Sequence, residues 1–189
     1  MNKYIKDYIV LFSITGFIVL LDQYTKYLVR SNIPFGMVLK PELWISNYVR
    51  IVHWSNTGAA FGLFQDLSIV FTILAFVVIA VIIYYFPRVP RDEKLIRLAM
   101  ALQMGGALGN LIDRLFRGRV TDFMSVMNFP VFNVADASIS IGVALLFFAL
   151  WQNDRKEKAL LISSDSDDGS SSSSAEVPPT TLSEETQGD

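Results

Sequence analysis

An all-α membrane fold is predicted: four transmembrane helices with a small extracytoplasmic β-containing subdomain. Three observations lead there. The 189 residues are 52% hydrophobic with mean hydropathy +0.40, and only 18% are charged, against roughly 25% in soluble domains. Apolar stretches long enough for a helix recur four times. Acids and amides gather toward one end of those stretches. No cysteine is present, which excludes disulfides, thiolate nucleophiles and Cys-based metal sites. A single histidine, His53, excludes a His-rich metal site. No metal or cofactor is expected. Residues 163–189 hold seven acids and no Lys or Arg, so the −2 total leaves the rest of the chain at +5. Its basic residues are scattered, with no continuous stripe, so no nucleic-acid partner is expected.

The first span is placed at about 5–28. Tyr8–Leu21 is apolar, no small-x-small cleavage site follows, and a helical pattern continues through Asp22 and Lys26. Those two stand at i and i+4 and share a face. They read either as an interfacial pair ending the span or as the border of a site. Residues 31–66 form an extracytoplasmic excursion. Pro34, Gly36 and Pro41 break helix, Trp44, Tyr48 and Trp54 suit a membrane–water interface, and 48–54 reads as a strand. Asn56-Thr57-Gly58 has turn chemistry. The second span, 67–86, has twenty residues of which only Ser68 and Thr72 are polar. At about 1.5 Å per residue it crosses one hydrocarbon core. The loop after it carries Arg88, Arg91, Lys94 and Arg97, a cytoplasmic signature that puts both termini in the cytoplasm. The third span, 95–116, holds the small-xxx-small pair Gly105 and Gly109 and then Asn110, Asp113 and Arg114. The fourth, 136–152, has Asp136 at its entrance and Asn133 as a cap. Residues 161–189 are Ser-, acid- and Pro-rich and read as a disordered tail. The domain is therefore 1–160.

These spans bring Asp22, Asn56, Asn110, Asp113, Arg114, Asp122, Asn133 and Asp136 toward one membrane face. Ionisable groups at bilayer depth cost about 2.5–3.5 kcal/mol and mark function or pairing. A Ser–Lys dyad on Lys26 is disfavoured, because neighbouring Asp22 holds the ammonium charged. Two carboxylates sharing a proton can supply a general base and a general acid for peptide hydrolysis. Asp113 stands beside Arg114, which points to a structural role. Asp122 and Asp136 remain, fourteen residues apart. On residues alone each keeps a plainer reading: a loop acid for Asp122, and a helix N-terminal acid for Asp136. A transporter and a structural scaffold also stay open as whole-chain readings.

Five blocks then carry a resemblance: DQYTK (22–26), NTGAAFG (56–62), GGALGNLIDR (105–114), GRVTDF (118–123) and FNVADASISIG (132–142). In order and spacing they resemble the lipoprotein signal peptidases (signal peptidase II, prolipoprotein signal peptidase), an aspartic peptidase family. The resemblance covers roughly residues 5–155. It implies a bacterial cytoplasmic-membrane endopeptidase, inhibited by globomycin, that cuts just before a diacylglyceryl-modified cysteine. It implies Asp122 and Asp136 as catalytic residues. Asp22, Lys26, Asn56, Gly58, Asn110, Arg114 and Asn133 would line or support the site, with Asn110, Arg114 and Asn133 holding the peptide backbone. Partners would be lipid-modified prolipoproteins and membrane lipids, around a monomer whose site lies near the extracytoplasmic face. Thr121 and Ala137 depart from the family pattern, which more often has an aliphatic residue and a serine there, and the 122–136 connection is short.

Overall fold

The computed structural model describes residues 3–39, 48–56 and 68–171, with side chains up to residue 158. Gly58, Trp44 and most of the excursion lie outside these residues. Helix α1 runs Lys3–Asn32, α2 Ser68–Tyr85, α3 Lys94–Arg117 and α4 Val134–Ser171. Each carries a segment long and apolar enough to cross a membrane. Strands β1 (Val38–Leu39), β2 (Val49–Asn56) and β3 (Val120–Val126) form one antiparallel sheet in that order. The all-α membrane body with its small β element is therefore the observed fold.

Helix α3 is the middle of the body. Over half of its apolar segment is buried (56%), against 17–22% for the other three. Its sequence explains this, because its glycines remove the side chains that would hold neighbours off. A Cβ at Gly105 would meet the Ile18 Cβ of α1 at 2.7 Å, and one at Gly109 would meet Asp22 Oδ2 at 2.7 Å. The small-xxx-small face thus serves α1, while Gly106 between them abuts the Ala135 carbonyl of α4. Leu11, Ile82, Phe86, Ala101 and Met104 form the apolar core among α1, α2 and α3. Around the outside, Phe17, Leu20, Ile69 and Phe147 stand more than 60% exposed. Large apolar residues in such a band belong against lipid.

Three elements depart from expectation. Asp22 and Lys26 do not end the first span, because α1 continues to Asn32 and both side chains are fully buried. Residues 120–126 form a strand, where Asp122 alone read as a loop acid. Gly118, in the left-handed region at φ 72°, ends α3 by bonding back to the Arg114 carbonyl and turns the chain onto β2. Helix α4 continues to Ser171, past the tail boundary expected at 161. Propagating an established helix costs little, and Glu157-Lys158-Ala159-Leu160-Leu161 is a run of strong helix formers. The chain divides into two compact units, 1–150 and 151–189. In the second, Lys158 pairs with Asp154 at 2.8 Å, and Arg155 lies over the Trp151 ring at 4.9 Å.

Candidate active site

Three local devices place the two acids. The first is β3, which pairs with β2 so that Asp122 faces Trp54 across the ladder and Asn56 faces Val120. The second is the return turn. Met127 adopts a left-handed φ of 49°, and Phe132 then bridges back to Met124. This tight reversal closes the short 122–136 connection. The third is the start of α4. Asn133 Oδ1 accepts the Asp136 amide at 2.9 Å, and Asp136 Oδ2 accepts the Asn133 amide at 3.2 Å. That is a reciprocal capping box, and it fixes the Asp136 carboxylate.

Asn133 joins the two acids. It is fully buried, and its Nδ2 donates to Asp122 Oδ1 at 2.7 Å while its backbone and Oδ1 hold Asp136. Asn110 completes the link, donating through Nδ2 to Asp136 Oδ1 at 2.7 Å and accepting from Asn133 at 3.1 Å. Behind Asn110, Lys26 Nζ donates to Asn110 Oδ1 at 2.9 Å and pairs with Asp22 at 2.8 Å and Asp113 at 3.1 Å. Asp22 Oδ1 also accepts the Ala135 amide at 2.9 Å, satisfying a second orphan donor of the α4 N-terminus. Lys26 is thus a structural cation with its three donors spent.

Asp113 does not take Arg114 as its partner. Successive residues on a helix diverge by about 100°, so Asp113 faces inward and Arg114 does not. Asp113 meets Lys26, then Arg30 and Arg117 at 3.6 Å, and accepts the Thr121 amide at 3.2 Å. That last bond ties β3 to α3 one residue before Asp122. Arg114 instead lies 5.5 Å from the Phe71 ring centre and lines the cavity.

The cavity, about 760 Å³, is bordered by Asp122, Asp136, Asn110, Arg114 and Asn56, with apolar walls from Phe71, Val78, Ile139 and Val143. Along α3 its lining residues are Gln103, Ala107, Asn110 and Arg114, one helical stripe. Sequence reading missed this wall. The i, i+4, i+7, i+11 spacing from the polar Gln103 is the signal that marks it. Burial pushes the Asp122 carboxyl up to about 7, and the nearby Asp136 charge adds to the rise. Hydrogen bonds from Asn133 and Asn56 and the charge of Lys26 oppose it. A carboxyl poised there can give or take a proton at neutral pH. Of the expected site residues, Asp22, Lys26, Asn56, Asn110, Arg114, Asp122, Asn133 and Asp136 converge. His53 lies apart, its Nδ1 bonded to the Ile33 carbonyl at 2.7 Å.

Residues 14–152 match the family profile described as Signal peptidase (SPase) II. The chain is 37% identical over 145 residues to the lipoprotein signal peptidase of Halalkalibacterium halodurans, covering 75% of this chain and 91% of that protein. It is 37% identical over 145 residues to the lipoprotein signal peptidase of Bacillus subtilis, covering 75% and 92%. Among solved structures, a bacterial membrane enzyme determined by the in meso method at 2.3 Å superposes with a TM-score of 0.71 at 32% identity. That likeness covers 77% of this chain and 89% of the other.

Proposed function

The chain belongs to the signal peptidase II family, and we propose that it cleaves signal peptides from prolipoproteins with Asp122 and Asp136 as an acid–base pair acting on water. The observation that carries this reading is the shared amide. Asp122 and Asp136 both hang from buried Asn133 and open into one cavity whose walls are otherwise mostly apolar.

The chemistry follows from the two environments. Asp136 accepts bonds from the Asn110 side chain and the Asn133 backbone, which hold its oxygens in place at the cavity. As a carboxylate it takes a proton from the attacking water. Asp122, with its pKa raised to about 7, donates a proton to the scissile carbonyl oxygen. The hydroxyl adds to the carbonyl carbon, giving a neutral tetrahedral diol. On collapse Asp136 passes its proton to the leaving amine, the carbon–nitrogen bond breaks, and Asp122 regains a proton from the diol hydroxyl. Both carboxyls return to their starting states. In this scheme Asn110 and Asn133 position the acids, and Arg114 is the group left to hold the peptide backbone.

The substrate bond is the one before a diacylglyceryl-modified cysteine. The apolar walls suit a signal peptide and acyl chains arriving from within the bilayer. The chain works as a multi-pass protein of the bacterial cytoplasmic membrane. Its site sits near the extracytoplasmic face, both termini are cytoplasmic, and it acts as a monomer sensitive to globomycin. The test is cleavage of a lipidated precursor by purified protein. Asp122→Asn and Asp136→Asn should each lower turnover by at least about 10²-fold. Wild-type turnover by either variant overturns the pair.

A further inference from the structure

We propose that the groove between the starts of α1 and α3, at the opposite end of the body from the acid pair, binds the head group of an anionic phospholipid. It has a volume of about 330 Å³ and is lined by Lys6, Arg91, Lys94, Arg97 and Asp7. Sixteen residues of α3 separate Lys94 from Asn110, about 24 Å along the helix. The groove therefore lies most of a hydrocarbon thickness away from the catalytic level.

Four cations and one carboxylate are an unbalanced set, and the bonding within it leaves the imbalance in place. Asp7 is buried and holds both arginines. It accepts from Arg91 Nε at 2.9 Å and from Arg97 at 2.8 Å. Arg97 is otherwise occupied, donating to the Val89 carbonyl at 3.1 Å and lying over the Phe86 ring at 4.2 Å. These contacts tie the α2–α3 connection to α1 and use up the one acid. Lys6 and Lys94 are exposed, and among the described residues neither is within ion-pair distance of a carboxylate. The N-terminus of the 24-residue α3 adds partial positive charge beside them. Two ammonium groups thus flank a groove whose arginines are already committed.

The other wall decides which anion fits. Val10, Ile14 and Leu98 line the same groove, and Val10 and Leu98 are 45% and 37% exposed. All three lie within membrane-crossing segments. A free phosphate gains nothing from aliphatic surface. A phospholipid places its phosphate between the lysines and its first acyl carbons against those side chains. Basic pockets between membrane helices take anionic head groups in this way.

The test uses the full chain in detergent, titrated with phosphatidylglycerol or phosphatidylcholine and read by native mass spectrometry. Wild type should retain one phosphatidylglycerol per chain in preference to phosphatidylcholine. Lys6→Gln/Lys94→Gln should weaken that binding about fivefold per lysine, roughly 25-fold together. Its unfolding temperature without added lipid should match wild type, since among the described residues neither lysine side chain makes a hydrogen bond or ion pair. Arg50→Gln/Arg119→Gln removes the same charge at the sheet and should leave the binding unchanged. Three results overturn the proposal: equal loss in both double variants, no preference between the two lipids, or displacement of the lipid by millimolar inorganic phosphate. None of these depends on peptidase activity, so failure here leaves the catalytic reading untouched.

Discussion

Replacing Asn133 by alanine tests the link between the two acids. Asn133 Nδ2 donates to Asp122 at 2.7 Å, and its Oδ1 caps α4 at the Asp136 amide, 2.9 Å away. Losing the cap costs about 1 kcal/mol of stability. Losing a donor to a carboxylate costs the ionised form about 1.5–3 kcal/mol. At 1.36 kcal/mol per pH unit, that loss corresponds to roughly one to two units of proton affinity. The Asn133 bond opposes the rise of Asp122 to about 7, so removing it sends the affinity upward. If Asp122 must be protonated to act, the alkaline limb of the kcat profile moves up by about one to two pH units. The apparent value belongs to the pair. The assay is cleavage of a lipidated precursor from pH 5.5 to 9.5. Asn133→Ser keeps a capping oxygen but cannot reach Asp122, so it should shift the limb while sparing most of the stability. An unmoved limb in both variants refutes the role given to Asn133.

Asp122→Asn should change stability in a pH-dependent way. The native carboxyl holds its proton to about 7 against 3.8 for the ordinary group. The folded state therefore binds more protons between these values, and stability falls as pH rises through that window. Asparagine removes the penalty, giving a gain of about 2–4 kcal/mol at pH 8 that vanishes at pH 4. An equal gain in thermal unfolding at both pH values would contradict this. Lys26→Met leaves Asp22 buried without its cation, and Asp113 with only the arginines at 3.6 Å, and should cost about 3–5 kcal/mol. The triple variant Asp22→Asn/Lys26→Met/Asp113→Asn should recover much of that loss by the same measurement. Gly106→Ala drives a methyl into the Ala135 carbonyl and should cost about 1–3 kcal/mol. It also displaces the first turn of α4, so cleavage should fall at least tenfold. Gly16→Ala meets nothing within 4 Å and should leave cleavage unchanged.

Much of the architecture was legible along the chain because hydrocarbon is an unforgiving solvent. A span must keep some twenty residues apolar and satisfy its backbone within itself, and this writes 67–86 plainly into the sequence. Short-range chemistry was equally readable: the Asn133 cap, a strand at 48–54 (observed at Val49–Asn56) and the i,i+4 geometry of Asp22 and Lys26 all depend on neighbours within a few residues. Partner choice was not. Asp113 adjoins Arg114 in sequence yet pairs with Lys26, because α1 packs against the glycine face of α3 and brings Lys26 to it. Asp122 looked like a loop acid because a strand as short as 120–126 takes its stability from β2, over sixty residues away. Asp7 drew no attention as a single acid near the N-terminus, and it acquires meaning only where Arg91 and Arg97 fold onto it. The sequence alone determined which residues are polar and at what depth each span carries them, since hydration cost acts residue by residue. The tertiary structure decided which carboxylates stay paired and which face an open cavity, since a charge is stabilised by whatever the packed helices bring within a few ångströms.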